Sequence, residues 1–89
     1  MKINGNKIKE LRKEMWLTQT ELAKKIGVEQ VTPVRWEKLT YKDVIQRKAG
    51  YEKNIQKIVD LYNKWYKRWN FMVKPIKKIK ITDIIKYED

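Results

Sequence analysis

The sequence predicts an all-α protein, a compact bundle of four to five helices followed by a short C-terminal extended arm or strand. Over most of the chain, apolar residues recur at spacings of three and four, which places them on one face of a helix. Capping residues and glycines divide this pattern into short segments. Toward the C-terminus the apolar spacing changes to two, which is typical of extended backbone.

The first helix is predicted from about Lys7 to Met15. Asn6 precedes it as the N-cap, and Ile8, Leu11 and Met15 follow one another at spacings of three and four. These three side chains therefore share one face. That face must be covered by other parts of the bundle, because an aliphatic stripe of this kind is unfavourable in water.

The second helix is predicted from about Gln19 to Ile26. Thr18 stands before it, and Glu21 follows three residues later, which is the spacing of a capping box. Gly27 comes directly after the helix and supplies the left-handed conformation that ends it in a tight turn. A capped helix that stops at a glycine before another short helix is a helix-turn-helix pattern.

The third helix lies in the stretch GVEQVTPVRWEK, whose proline would be costly in a helix interior. Proline is tolerated at the first helical position, and the residue before a proline is pushed out of the α region. We therefore predict that Thr32 is the N-cap and Pro33 the first helical residue. Gln30 and Val31 would then precede the helix, and Arg35 would lie on it.

Two more helices are predicted beyond Leu39. Thr40 and Asp43 form a second possible capping box, which opens a short helix that runs to about Lys48 and ends at Gly50. A longer helix runs from about Glu52 to Trp69. Its apolar positions follow the three-four rule: Ile55, Ile58, Val59, Tyr62, Trp65, Tyr66 and Trp69.

The chain is expected to divide into a helical domain (1–69) and a C-terminal arm (70–89). In the arm, Ile79 and Ile81 alternate with lysines, which suggests a strand or an extended arm. Dimerisation, or packing of the tail on the domain, is a hypothesis for Trp65, Tyr66, Trp69, Ile79 and Ile81. The aromatic residues could equally complete the core of a single chain.

The charge balance favours a polyanionic partner. The 89 residues carry 22 Lys and Arg against 11 Asp and Glu, for a formal charge of +11. Between Asp60 and Asp83 every charged residue is basic. A solvated lysine-rich surface without a specific partner is the alternative explanation.

Composition also argues against catalysis. The chain has no His, Cys or Ser, so the common nucleophile–base arrangements and thiolate metal sites are missing. Its three glycines are isolated and cannot form a phosphate-binding loop. No enzyme activity, metal or cofactor is expected. No apolar run approaches the roughly 20 residues of a membrane-spanning helix, so a cytoplasmic protein is expected.

One part of the chain resembles a known family. The stretch IKELRKEMWLTQTELAKKIGV, followed by RWE, resembles the helix-turn-helix domains of phage repressors and Cro proteins, often called the XRE family. The match covers roughly the first third of the chain and includes the LTQ-x-ELA run, the turn glycine and the Trp-Glu pair. The chain departs from the family pattern at Pro33 and in the residues that follow Glu37.

The resemblance implies a compact lambda-repressor-like bundle that binds duplex DNA as a two-fold dimer. The third helix of such a domain lies in the major groove, and the second crosses the phosphate backbone. Base-reading positions fall on Gln30, Val31 and Arg35, and phosphate contacts are expected from Thr18, Gln19, Thr32, Lys38 and Lys42. At the Gln19 position the family either contacts phosphate or supports the recognition helix. The family also implies an internal ion pair between Arg12 and Glu37.

The chemistry of the base-reading candidates is consistent with these roles. Arg35 can bond guanine O6 and N7 together, and Gln30 can bond adenine N6 and N7, each worth about 1–3 kcal/mol of discrimination. Val31 offers only methyl groups, which suit a thymine methyl. As alternatives, Gln30 is a neutral surface residue, and Arg35 pairs with Glu37 or Glu29.

The function expected from these features is a sequence-specific double-stranded DNA-binding transcriptional regulator. It would be a small dimeric repressor from a phage or mobile element that acts by occupying its operator. Two alternatives use the same domain: an antitoxin whose arm neutralises a partner toxin, and a protein–protein adaptor with a degenerate helix-turn-helix. A basic membrane-surface module, with Lys on one face of the long helix and aromatics on the other, is a further alternative.

Overall fold

The described residues form four α-helices, a one-turn 3-10 helix and a small antiparallel sheet. The structure, a computed structural model, describes residues 1–43, 45, 49–70 and 79–87. The elements are β1 (Lys2–Ile3), α1 (Gly5–Glu14), α2 (Gln19–Ile26), α3 (Val31–Glu37), α4 (Ala49–Asn70), a one-turn 3-10 helix (Ile81–Asp83) and β2 (Ile85–Lys86). The prediction of a mostly helical chain is confirmed. Among the described residues, no helix combines the length and apolarity needed to cross a membrane.

The first helix begins earlier than predicted, because its N-cap is Asn4 and not Asn6. Asn4 Oδ1 accepts a hydrogen bond from the backbone N–H of Lys7 at 3.1 Å. Gly5, the first helical residue, donates its N–H to the carbonyl of Leu39 at 2.9 Å. This contact ties the start of α1 to the chain after α3, and so a tertiary contact selects the cap from two nearby asparagines.

The second helix and its cap are confirmed. The backbone N–H of Glu21 donates to Thr18 Oγ1 at 3.1 Å, and the backbone N–H of Thr18 donates to Glu21 Oε1 at 3.0 Å. The second of these bonds holds the pKa of the Glu21 carboxyl below its usual range. Gly27 ends the helix with a left-handed φ of 72°.

The predicted late start of the third helix is wrong. The helix begins at Val31 with Gln30 as its N-cap, so Thr32 is not the cap and Pro33 is the third helical residue. Proline fits there because the first N–H groups of a helix have no acceptor within it. Thr32 donates its own N–H back to Glu29 O at 3.0 Å. The buried Pro33 ring adds to the apolar interior.

The long helix starts before its predicted position. Gly50 lies in the first turn of α4 and does not end a preceding helix, so that boundary is wrong. Thr40 and Asp43 form a turn, in which Asp43 Oδ2 accepts from the Thr40 N–H at 2.9 Å. Much of the short helix predicted through Lys48 lies outside the described residues. The apolar stripe of α4 is buried as expected at Ile55, Ile58, Val59 and Tyr62.

The described part of the C-terminal segment packs on the same core as the helices. Asn63 on α4 bonds both backbone groups of the buried Ile79, at 2.9 Å to its N–H and 3.0 Å to its carbonyl. Lys80 is extended, in agreement with the extended-arm alternative, and Ile81 begins the 3-10 helix, so the strand alternative at residues 79–81 is wrong. The strand is β2, whose Ile85 pairs with Ile3 of β1 in an antiparallel register.

Tyr62 lies in the core, and its hydroxyl lies near the Glu14 carboxylate without reaching hydrogen-bond distance. The side chain is fully buried, and its Oη has no hydrogen-bond partner among the described residues. Its ring packs on Trp65 and Tyr66, with centroids 5.8 and 5.9 Å away. Burial raises the pKa of Tyr62, and the nearby Glu14 carboxylate raises it further.

We expect Tyr62→Phe to leave the stability at neutral pH unchanged or to raise it by up to about 1 kcal/mol, because it removes a buried polar group without a partner. Above about pH 10 the unfolded chain loses the Tyr62 proton while the folded chain retains it. The free energy of unfolding of the original protein therefore falls as the pH rises above about 10. In Tyr62→Phe the contribution of this hydroxyl to that fall is absent. Urea unfolding at neutral pH and about pH 11 measures both effects. A loss above about 2 kcal/mol at neutral pH would show that the hydroxyl is satisfied.

Candidate nucleic-acid interface

A buried ion pair fixes the end of α3 to α1. Arg12 donates from Nε to Glu37 Oε2 at 2.8 Å and from Nη2 to Oε1 at 2.9 Å, a bidentate arrangement. The Arg12 and Glu37 side chains are only 12% and 5% exposed. Arg12 Nη1 also donates to the Leu17 carbonyl at 2.9 Å, and Gln19 Nε2 donates to Glu37 at 3.4 Å. Three segments of the chain therefore meet at one carboxylate.

The corner between α2 and α3 sets where α3 begins. The left-handed Gly27 turns the chain, and Val28 donates its N–H to the Ala23 carbonyl at 2.9 Å. Lys57 of α4 donates from Nζ to the Ile26 carbonyl at 3.4 Å, close to the same corner. These bonds satisfy carbonyls that the end of a helix otherwise leaves without partners.

The third helix has an inner and an outer face. Pro33 and Trp36 are buried on the inner face. Val31 and Arg35, four residues apart, are exposed, and Val31 keeps 48% of its surface in contact with solvent. Gln30 at the N-cap is exposed as well. The three predicted base-reading residues therefore lie on the solvent side of α3 or at its start.

Arg35 is available for a ligand. Its guanidinium forms no hydrogen bond or ion pair with any described residue, although five N–H donors are present. Of its two predicted alternative partners, Glu37 is occupied by Arg12. Arg35 also forms no ion pair with Glu29, which is exposed. The alternative of an internal ion pair for Arg35 is therefore wrong.

Three of the predicted phosphate-contacting residues are exposed. Thr18 caps α2, and its Oγ1 accepts from Glu21, which leaves the hydroxyl proton able to donate to another acceptor. Lys38 follows α3 at a spacing of seven from Val31, so it continues the outer face of that helix. Lys42 is exposed in the turn after Thr40.

The other two predicted phosphate contacts are partly covered. Gln19 is half-buried, and its amide donates a hydrogen bond to Glu37 at the end of α3. Gln19 therefore helps to hold α3 in position. Thr32 is half-buried in the first turn of α3 and borders a cavity of about 250 Å³ whose lining includes Arg35 and Trp36. Both side chains are less accessible to a phosphate than Thr18 or Lys38.

The residues predicted for dimerisation or tail packing do not form one exposed surface. Trp65 and Tyr66 are half-buried, and their ring centroids lie 6.3 Å apart. Ile79 is buried in the core of its own chain, and Ile81 is half-buried. The side chain of Trp69 lies outside the described part of the chain. For Ile79 the structure thus favours tail packing.

Three further residues have structural roles that the sequence does not single out. Gly5 allows α1 to approach the carbonyl groups at the end of α3, and Asn63 anchors the C-terminal segment. Trp16 occupies the corner between α1 and α2 and is 89% exposed. Only Gly5 has a local signal, since it stands between two asparagines in a turn-forming sequence. A polar residue on a helix, or an aromatic residue in a corner, gives none.

Comparison with known proteins does not assign the chain to a family. No protein-family model matches the chain, and no curated protein or solved structure matches it either. A function for the face that carries Gln30, Val31 and Arg35 therefore rests on these residues and their surroundings.

Proposed function

We propose that the protein is a sequence-specific regulator that binds double-stranded DNA through a helix-turn-helix formed by α2, the Gly27 corner and α3. The observation that carries the proposal is the outer face of α3. It presents Val31, Arg35 and Lys38 at successive helical spacings, with Gln30 at the helix start. An exposed helix face of this kind fits the major groove of B-DNA, which admits one α-helix.

Each side chain on this face suits a different base edge. The unpaired guanidinium of Arg35 matches guanine O6 and N7, and the amide of Gln30 matches adenine N6 and N7. Val31 contributes nothing to the core at 48% exposure, whereas its methyl groups can contact a thymine methyl. The combination supports readout of sequence as well as attraction to phosphate.

The Arg12–Glu37 pair supports the proposal by making α3 rigid. A helix of seven residues is not stable alone, so its orientation depends on packing and on tertiary bonds. The bidentate pair at its end and the buried Trp36 on its inner face supply both. The helix that carries the outer side chains is thus oriented before DNA binds, which lowers the entropy cost of recognition.

The charge of the chain supports tight but salt-sensitive binding. A formal charge of +11 attracts the phosphate backbone, and each neutralised phosphate contributes about −0.9 to the slope of log K against log salt. Thr18, Lys38 and Lys42 are the exposed candidates for such contacts. We propose that two copies occupy a two-fold operator and exclude polymerase, as a small repressor from a phage or mobile element does.

The proposal is tested by selecting bound sequences from a random duplex pool. A single enriched motif with two-fold symmetry is the expected result. Competition binding at moderate salt then compares the selected duplex with a random one of equal length. If both duplexes compete equally, the protein is not a sequence-specific regulator.

We expect Arg35→Ala and Lys38→Ala to have different effects on binding. Arg35→Ala should reduce the preference for the selected duplex by about 10- to 100-fold, since it removes a base contact. Lys38→Ala should weaken binding to all sequences alike and lower the salt slope by about 1, since it removes a phosphate contact. Titrations of both duplexes at several salt concentrations measure these effects. An equal loss of preference in the two variants would contradict the assignment.

A further inference from the structure

Trp16 combines exposure with an unusual backbone conformation. It is the most exposed large apolar side chain among the described residues, at 89%, and its φ is 61°. A left-handed φ is unfavourable for a bulky L-residue because its Cβ approaches the following carbonyl. The position therefore costs conformational energy, and the indole gains almost nothing from the core in return.

The conformation at Trp16 is required by the way α1 ends. Leu17 donates its N–H to the Arg12 carbonyl at 3.1 Å, and Trp16 donates to the Lys13 carbonyl at 3.0 Å. This pattern is a Schellman motif, whose left-handed residue is usually glycine. At the end of α2 the same chain places Gly27 in the left-handed position. Folding of the single chain would favour glycine at the end of α1. The tryptophan there is therefore better explained by a contact with another molecule.

Beside Trp16 lies an apolar groove of about 550 Å³. Its walls come from the end of α1, from α2 and from α4, and the lining residues are Met15, Trp16, Leu17, Lys25, Leu61 and Trp65. Since Trp16 is 89% exposed, its indole stands at the rim and does not fill the groove. One chain therefore carries a projecting indole and, next to it, a groove that can hold one.

We propose that this surface, the Trp16 groove, binds a second copy of the chain about a two-fold axis, with each Trp16 entering the groove of the other copy. A two-fold interface must be complementary to itself, and a projection beside a matching groove meets that requirement. Because the axis is two-fold, the same indole–groove contact forms twice, and both Trp16 side chains become buried. The inference goes beyond the proposed function, because it assigns the surface through which the chain associates.

The charges around the Trp16 groove favour another copy over a polyanion. Lys25 lines the groove from α2. Glu14, at the end of α1, lies near Tyr62 and so borders the side formed by α4. The rim thus carries both signs, and a two-fold axis through the groove brings Lys25 of one copy toward Glu14 of the other. A second copy can pair with both charges, whereas a polyanion could pair only with Lys25.

The size of the contact indicates a weak dimer. A buried tryptophan removes about 150–250 Å² from water, and two of them with the groove walls they cover supply only part of the roughly 1,200–2,000 Å² of a stable interface. We therefore expect a reversible dimer that forms at micromolar concentrations and above.

The test is sedimentation velocity of the full chain without DNA over a range of concentrations. We expect Trp16→Gly to raise the dimer Kd by about tenfold or more, as for loss of a central aromatic contact. Glycine relieves the left-handed position, so the melting temperature of the variant should be unchanged or higher. A lost dimer would then not reflect misfolding. Tyr41→Ala, which truncates an exposed aromatic residue elsewhere, should leave the Kd unchanged.

A charge exchange tests the two-fold geometry. Lys25→Glu and Glu14→Lys should each weaken the dimer, and the double variant should restore it. A chain that stays monomeric at all concentrations, or a Trp16→Gly variant that dimerises like the original protein, overturns the proposal. So does binding to anionic vesicles that needs Trp16 while the chain stays monomeric, which would assign the groove to a membrane surface. Because DNA is absent, these outcomes do not depend on the proposed regulator function.

Discussion

Glu37→Ala is expected to lower the free energy of unfolding by about 3–5 kcal/mol. The substitution removes the carboxylate that accepts two hydrogen bonds from Arg12, whose side chain is only 12% exposed in the folded protein. An unpaired charge in that position loses its hydration without compensation. Gln19 also loses its acceptor. Urea unfolding followed by circular dichroism measures the change through its midpoint and slope.

Two matched variants separate the buried pair from an ordinary surface pair. Glu10→Ala breaks the exposed Lys7–Glu10 pair, whose atoms are 3.7 Å apart, and should cost less than about 1 kcal/mol. Replacing Arg12 and Glu37 together by Met should cost less than Glu37→Ala alone, because no buried charge remains. If Glu37→Ala costs no more than Glu10→Ala, the pair does not hold α3 in place.

Gly5→Ala is expected to destabilise the protein by about 1–3 kcal/mol or more. A Cβ at Gly5 would lie 2.6 Å from the Leu39 carbonyl oxygen and 2.8 Å from the Glu37 carbonyl carbon, and it would also collide with the Trp36 carbonyl oxygen. All three contacts are with backbone, which cannot move aside as a flexible side chain can. The start of α1 must therefore separate from the end of α3, and the Gly5 to Leu39 hydrogen bond is lost.

Gly50→Ala is the control for this substitution. Gly50 lies in the first turn of α4, and a Cβ there meets nothing within 4 Å. Alanine should stabilise that helix by up to about 1 kcal/mol, because glycine loses more backbone entropy on folding. Thermal unfolding of both variants gives the comparison. Equal effects at the two positions would mean that α1 and α3 do not approach as closely as described.

The features that follow from neighbouring residues could be predicted from the sequence. The boundaries of α2 are set by Thr18, Glu21 and Gly27, whose interactions are all local, and they match the prediction. The buried stripe of α4 follows in the same way from apolar spacing. In both cases the information needed lies within one or two helical turns.

The features that were wrong or missed depend on distant parts of the chain. Asn4 caps α1 in place of Asn6 because Gly5 contacts the chain after α3. The pairing of β1 with β2 involves only two residues of each strand, too few to give an alternating pattern. Local rules favour Pro33 at the first helical position, but the third position also needs no N–H donor, so packing decides between them.

The residue types of the candidate site could be predicted from the sequence, but the contacts that hold α3 in position could not. Gln30 and Arg35 could be singled out because their side chains match base edges. The partners of Arg12 were available only through the resemblance to a family, since charge alone allows many pairings. Trp16 could not be found, because no local rule places a large aromatic residue in a left-handed corner.

The pairing of β1 with β2 has a consequence for the order in which the chain folds. The contacts of α3 with α1 and α2 join segments within residues 5–37, and contacts between segments so close in sequence form quickly. The sheet instead joins Ile3 to Ile85, so it can form only after the segments between them have been made and brought together. Until then the apolar side chain of Ile3 lacks its cross-strand neighbour. We therefore expect the three short helices to assemble before β1 pairs with β2.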